Sequence, residues 1–282
     1  MTQTANVALA EATQRLLAAG VPDAARDARR LLSHAVGVEP GRLTLLLSEP
    51  VAPEALASFR GLVDLRAERR PVSHLIGHRS FYGRDFLVTP DVLDPRPETE
   101  ILIEAALAVP FGHVLDLGTG SGCILLTLLA EMPDSHGTGV DVSPQAIGVT
   151  EANARALGLE DRCHAIVSDW VTEVEGVFDL IVANPPYISR AEMEELEPEV
   201  RDFEPRLALT DEADGLACYR TIFSAIGPHL TETGRVIVEI GPDQADDVTA
   251  IAAVRGFDVI AVIPDLDGRD RVIVAGWSEI PF

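Results

Sequence analysis

Apolar residues recur at two different spacings along this chain, and the change from one to the other divides it. Up to about residue 76 the spacing is helical. Over residues 6–19, Val7, Ala10, Ala12, Leu16 and Leu17 fall largely on one face, and Gly20 stops the run. Residues 23–36 follow, with Leu31 and Leu32 apolar beside a basic Arg26, Arg29, Arg30 face. A short turn over 42–47 leads to residues 53–70, where Leu56, Phe59, Leu62, Val63 and Leu65 repeat at helical spacing. Pro71 opens a last turn to Ile76. These predict a small helical bundle over residues 1–78.

Residues 79–92 alternate, with Phe81, Phe86 and Val88 around the turn Tyr82-Gly83-Arg84-Asp85, which predicts a linking β-hairpin. Residues 93–282 then predict one α/β domain. Pro97 suits a first helical position and opens a helix over 98–108. Strand 113–117, helix 123–132, strand 137–141, a helix capped by Ser143 and running to about residue 157, strand 163–167 and strand 178–183 come next. Strands alternating with helices imply a parallel doubly wound sheet. The acidic stretch 190–202 reads as a helix and loop beside the site. The end reads as helix 215–226, strand 234–240, helix 242–253 and strands 257–263 and 271–275.

The chemistry gathers where strands end. Asn184-Pro185-Pro186-Tyr187 directly follows strand 178–183. Two prolines lack amide hydrogens and hold φ near about −65°, so the segment is stiff and offers carbonyls without competing donors. A side-chain amide and a main-chain carbonyl held there form a rigid acceptor pair suited to a planar NH2 group; the plainer reading is a turn after a buried strand. Gly118-Thr119-Gly120-Ser121-Gly122 joins the first strand of the domain to an apolar helix. Its glycines let the backbone pass close to a ligand, and amides at the helix start can meet an anion. The spacing is Gly-x-Gly-x-Gly, unlike the dinucleotide Gly-x-Gly-x-x-Gly, and favours a nucleoside carrying an amino-acid tail. Asp141 ends the next strand, where open sheets hold a ribose diol. Ser168-Asp169-Trp170 follows the third, with an acid to accept from an adenine amine and an indole wall. In a parallel sheet, Asp116, Asp141, Asp169 and Asn184 would line one crevice.

Together the Asp-Leu-Gly-Thr-Gly-Ser-Gly loop, Asp141, Asp169-Trp170 and Asn-Pro-Pro-Tyr resemble class I methyltransferases that use S-adenosylmethionine and methylate nitrogen. Residues 92–100, Val-Leu-Asp-Pro-Arg-Pro-Glu-Thr-Glu, resemble the signature of the protein-(glutamine-N5) methyltransferases of peptide chain release factors, the HemK/PrmC family. Residues 204–209, Asp214-Gly215-Leu216, Glu239-Ile240-Gly241 with Gln244, and Gly268-Arg269-Asp270-Arg271 extend the match. Asp94 departs from it, standing where the family usually carries an apolar residue. The resemblance implies a Rossmann-like sheet ending in a strand hairpin, S-adenosylmethionine as cofactor with S-adenosylhomocysteine as product, and no metal. It implies that Gly118, Thr119, Gly120, Ser121 and Gly122 hold the methionine end, Asp141 the ribose, and Asp169 with Trp170 the adenine, with Asn184 beside them. Asn184, Pro185, Pro186 and Tyr187 would bind and align the substrate glutamine. Arg96 and Glu98 would order a loop over the cofactor, or serve as a helix cap and a surface ion pair.

Charge narrows the partner. Residues 1–79 carry ten arginines against eight acids, net +2, and residues 80–282 carry twelve against thirty-seven, net −25. The chain has no lysine, so Schiff-base chemistry is excluded. So negative a catalytic half repels nucleic acid and attracts a basic protein surface. That argues against direct nucleic-acid contact, though a soluble acidic surface without partner meaning is the plainer reading; the resemblance over residues 95–100 is what implies a release factor as partner. A ribosomal-protein glutamine, an adenine amine of nucleic acid and a non-catalytic adaptor are the other readings. Cys123, Cys163 and Cys218 lie in apolar segments without metal-ligand spacing and read as buried free thiols of a reducing cytoplasm. No apolar run of about eighteen residues predicts a membrane span. The start of the chain lacks a secretory pattern, so a cytoplasmic protein is expected.

Overall fold

The helical spacing of the first part produces four helices, α1 (Ala5–Ala18), α2 (Ala24–Val36), α3 (Pro53–Ala67) and α4 (Val72–Ile76). The computed structural model describes residues 3–278. A hairpin follows, β1 (His78–Phe81) and β2 (Arg84–Leu87), then α5 (Glu100–Leu107), β3 (His113–Leu117), α6 (Cys123–Glu131), β4 (His136–Asp141) and α7 (Pro144–Leu157). Next come β5 (Cys163–Val167), β6 (Phe178–Ala183), α8 (Pro198–Phe203), α9 (Ala217–Ala225), β7 (Leu230–Glu239), α10 (Ala245–Val254), β8 (Phe257–Pro264) and β9 (Asp270–Trp277).

The chain forms two units, Met1–His78 with Glu197–Phe203, and Arg79–Leu196 with Glu204–Phe282. In the first, Leu16, Leu31, Leu32, Leu43 and Phe59 are fully buried between the helices. Helix α3 ends at Ala67 and not at residue 70. Arg69 takes a left-handed φ of 72°, and Pro71 keeps the residue before it out of the helical region. Helix α8 belongs to this unit, and its acids explain why. The buried Arg66 guanidinium donates to Asp27 of α2 at 2.7 Å and to Glu199 of α8 at 2.7 Å. Arg69 bonds Glu197 at 3.0 Å and Glu199 as well, and Arg70 lies over the Phe203 ring. Burial would raise the Glu199 carboxyl, but Arg69 and Arg66 outweigh it and hold the group below its ordinary range.

The second unit carries a seven-stranded sheet in the order β5-β4-β3-β6-β7-β9-β8. The first five run parallel, and β9 is antiparallel to both its neighbours. Alternate residues build its two faces, as strand geometry requires. Leu115, Leu117, Ile181, Val236 and Ile273 pack with Tyr219 and Phe223 of α9 and Val248 of α10. Val114, Leu180, Val182, Ile237 and Val272 pack with Leu102 and Ile103 of α5 and Leu125 and Leu128 of α6. The Pro97–Thr99 segment is a 3-10 turn ahead of α5. Helix α10 starts at Ala245 and not at residue 242, because Gln244 turns its side chain back to accept from the Gly241 amide at 2.9 Å. Asp94 is buried with Arg79 at 3.7 Å, which gives the departure from the family pattern an ionic partner.

Candidate active site

Strand register decides which residues share one level at the carboxyl edge of the sheet. Leu117 pairs with Val140 and with Ala183, and Ala183 pairs with Val238. The next residue of each strand therefore forms a row: Gly118, Asp141, Asn184 and Glu239. Strand β3 sends the chain outward to β4 on one side, while β6 lies on its other side. That reversal is where open α/β sheets bind ligands.

A cavity of about 490 Å³ opens there. Gly118, Thr119, Gly120, Ser121, Asp141, Asp169, Trp170, Asn184 and Pro186 line it, and so does Arg96. Gly122, Pro185 and Tyr187 are not part of this lining. Glu98 is exposed and away from it. Asp116, expected in the crevice, is fully buried beneath it. One of its oxygens accepts from the Thr119 hydroxyl at 2.7 Å, and the other meets no hydrogen-bond donor among the described residues. Burial pushes this carboxyl up to about 7.

The glycine-rich loop uses the amides of Gly118, Thr119, Gly120 and Gly122 internally. Gly118 and Thr119 donate to the Val140 carbonyl at 2.9 and 2.8 Å, and Gly122 donates to Thr119. Gly120 donates to Asp141 Oδ2 at 3.0 Å, while Oδ1 accepts from the Ser143 amide at 2.9 Å. Closing so tight a turn occupies these four donors. Gly118, Gly120 and Gly122 all take positive φ, which explains three glycines at alternate positions. Burial raises the Asp141 carboxyl, opposed by these amides. Trp170 is also left-handed, at φ 53°, a strained conformation that aims the indole at the cavity wall.

The other end of the row is organised differently. Asn184 Nδ2 donates to Thr99 Oγ1 at 3.3 Å, and Thr99 donates to Glu239 Oε2 at 2.6 Å. Among the described residues no donor meets Asn184 Oδ1 or the Pro185 carbonyl. Tyr187 donates to Glu239 Oε1 at 3.4 Å, and its phenol is pushed upward by burial and then by the Glu239 charge. Gln244 straps the segment, with Nε2 donating to the Tyr187 carbonyl at 3.0 Å and to that of Gly215 at 3.2 Å. Gly215 sits so close that a Cβ there would lie 2.5 Å from the Tyr187 oxygen.

Stretch 190–202, expected beside the site, contributes nothing to the lining. Pro205, Leu207, Ala208, Thr210, Asp211 and Glu212 occupy that wall instead. Glu204, nearly buried, accepts from Arg96 at 2.7 and 2.8 Å, and burial pushes its carboxyl up to about 7. The cysteines are free and half-buried, and Cys123 and Cys218 reach the cavity wall. Among the described residues no group of His, Cys, Asp or Glu could hold a metal ion, and no helix is long and apolar enough to cross a membrane. Thr99, Glu239 and Gln244 carried no assigned role in the sequence; strand register brings Glu239 beside Asn184, the 3-10 turn brings Thr99 to both, and Gln244 meets the segment at Tyr187.

The PrmC N-terminal domain family matches residues 7–77, and the methyltransferase small domain family matches residues 91–197. The release factor glutamine methyltransferase of Cereibacter sphaeroides is 53% identical, over 95% of this chain and 96% of its own length. That of Rhodospirillum rubrum is 46% identical over 93% and 81%, and that of Agrobacterium fabrum 40% over 96% of each. A methyltransferase structure from Pyrococcus furiosus aligns with a TM-score of 0.55 at 16% identity, covering 71% of this chain and 92% of that one. The hMettl16 catalytic domain aligns at 0.58 and 15% identity, covering 77% and 81%. These two share the fold. With near-complete coverage by relatives of one name, a Rossmann-like sheet and an N-terminal helical unit, the chain belongs to the release factor glutamine methyltransferase family.

Proposed function

We propose that this protein transfers a methyl group from S-adenosylmethionine to the side-chain amide nitrogen, N5, of the glutamine in the Gly-Gly-Gln motif of peptide chain release factors. It would thereby support translation termination in the cytoplasm. One observation carries the reading: Asn184 Oδ1 and the Pro185 carbonyl are two acceptors without described donors, at the strand end beside the cavity.

The residues present fit the cofactor. The cavity is of ligand size. Asp141 is locked by two amides and would take the ribose diol with its remaining lone pairs. Asp169 is exposed beside Trp170 and would take the adenine amine against the indole. The Gly118 carbonyl, met by no described donor, would accept from the amino-acid ammonium. When bound, S-adenosylmethionine supplies an electrophilic methyl on a sulfonium, and the surrounding carboxyls favour that positive charge.

An amide nitrogen is a poor nucleophile because its lone pair is delocalised into the carbonyl. Asn184 Oδ1 and the Pro185 oxygen would accept its two N–H bonds and hold the nitrogen about 3 Å from the methyl, in line for displacement. Their dipoles are placed before charge develops on nitrogen, so no reorganisation is needed at transfer. Tyr187, strapped by Gln244, would wall the amide plane from water. Once nitrogen is alkylated its proton is acidic and leaves to solvent, so no strong base is required. The basic face of residues 1–78 would receive the protein substrate, and the negative second unit disfavours nucleic acid.

Incubation with labelled donor and either a release factor, a ribosomal protein or duplex DNA tests this. Label should appear on the release-factor glutamine. Label on DNA alone would overturn the reading.

A further inference from the structure

Thr99, Asn184 and Glu239 are distant in sequence and meet at one end of the sheet. Register puts Asn184 and Glu239 abreast on β6 and β7, and the 3-10 turn before α5 lays Thr99 between them. We propose that Glu239, acting through Thr99, is the positioning residue that sets which way round the Asn184 amide points. Resting on the function proposed above, it makes the site select a substrate NH2 over a hydroxyl or carbonyl.

Donor and acceptor counting gives the direction. A carboxylate only accepts, and a threonine hydroxyl has one hydrogen. That hydrogen lies on Glu239 Oε2 at 2.6 Å, the short contact expected of an O–H group on a carboxylate. Only lone pairs of Thr99 then face Asn184, so Nδ2 must turn toward it and Oδ1 toward the cavity. Glu239 and Thr99 are 1% and 2% exposed, so water does not substitute for either.

Among the described residues, the other groups near the carboxylate leave the chain one-way. Tyr187 donates to Oε1 and Tyr219 to the main-chain oxygen of Glu239. Arg271 directs its terminal nitrogens to the Ile240 carbonyl and Asp265. Glu98 is exposed and adds only like charge. A buried acid without a bonded cation is costly if it merely fills space. Burial pushes it up to about 7, so acid would protonate it, let it donate to Thr99 and reverse the chain.

Thr99→Ser, Thr99→Val and Glu239→Gln test this, with kcat and donor-product affinity read together. Thr99→Ser should keep at least a third of wild-type kcat. Thr99→Val and Glu239→Gln should lose tenfold or more, with donor-product Kd changed less than threefold. Wild-type kcat should fall on the acid side of about pH 7, and Glu239→Gln should be flat there. Equal kcat in Thr99→Ser and Thr99→Val would overturn the proposal. In the unaltered protein, a nuclear Overhauser contact between the Asn184 amide protons and the Thr99 methyl is required whatever the variants' stability, and its absence overturns the relay. Wild type that leaves glutamine unlabelled, yet shows that contact, overturns the proposed reaction and not the relay.

Discussion

The two ends of the strand-edge row solve opposite problems. Around Gly118–Asp141 the backbone turns back on itself and spends its amides on Val140, Thr119 and Asp141. Around Asn184–Glu239 every internal bond is arranged so that two oxygens remain unspent. The first end supplies shape, a cradle a ligand can enter closely. The second supplies unmet hydrogen-bonding capacity, which in the proposed reaction would select the atom to be changed. Substitutions should separate donor binding from transfer according to the end they touch.

The largest effect is expected at the second end. Asn184→Ala should lower kcat by at least about 10³-fold, comparable to losing a preorganised transition-state contact, and leave donor affinity within about tenfold. Single-turnover transfer and calorimetry measure the two. Gly122→Ala should do the reverse. Its Cβ would meet Leu126 and Thr150 at 3.0 Å in a residue at φ 78°. Donor affinity should fall roughly thirtyfold and the unfolding temperature should drop, consistent with about 1–3 kcal/mol of backbone strain. Gln244→Leu releases the strap on Tyr187 and Gly215, and should lower kcat about tenfold with donor affinity unchanged.

The smallest effect is a pH dependence of stability. Asp116, Glu204 and Glu239 are each pushed up to about 7 by burial. Between the ordinary carboxyl range and about 7 the folded protein holds more protons than the unfolded chain, so stability falls as pH rises through that window. Glu199, held low by its arginines, loses its contribution only in acid below that range. The unfolding temperature should therefore be several degrees higher at pH 6 than at pH 8, with relief of net negative charge acting in the same direction. Scanning calorimetry across that range checks it.

Much of the fold was legible because its signals are local. Val114, Leu115 and Leu117, like Leu180 and Ile181, belong to the near-continuous apolar runs that strands buried on both faces must carry. Glycine and proline marked the turns at Gly118–Gly122 and Asn184–Tyr187. What escaped depended on long-range placement. That α8 joins the helical unit follows from Arg66 and Arg69 finding Glu197 and Glu199, more than a hundred residues away. Glu239 reads as the end of a strand until register sets it beside Asn184. The internal use of the glycine-loop amides carries no signal in the sequence, because amide direction follows from φ and ψ, not from residue type.

The most direct test is a crystal structure with donor product and a peptide containing Gly-Gly-Gln. The account predicts the glutamine side-chain nitrogen about 3 Å from both Asn184 Oδ1 and the Pro185 oxygen, facing the donor sulfur. An Asn184 side chain turned with Nδ2 toward the glutamine, or a glutamine nitrogen held by other groups, would contradict it.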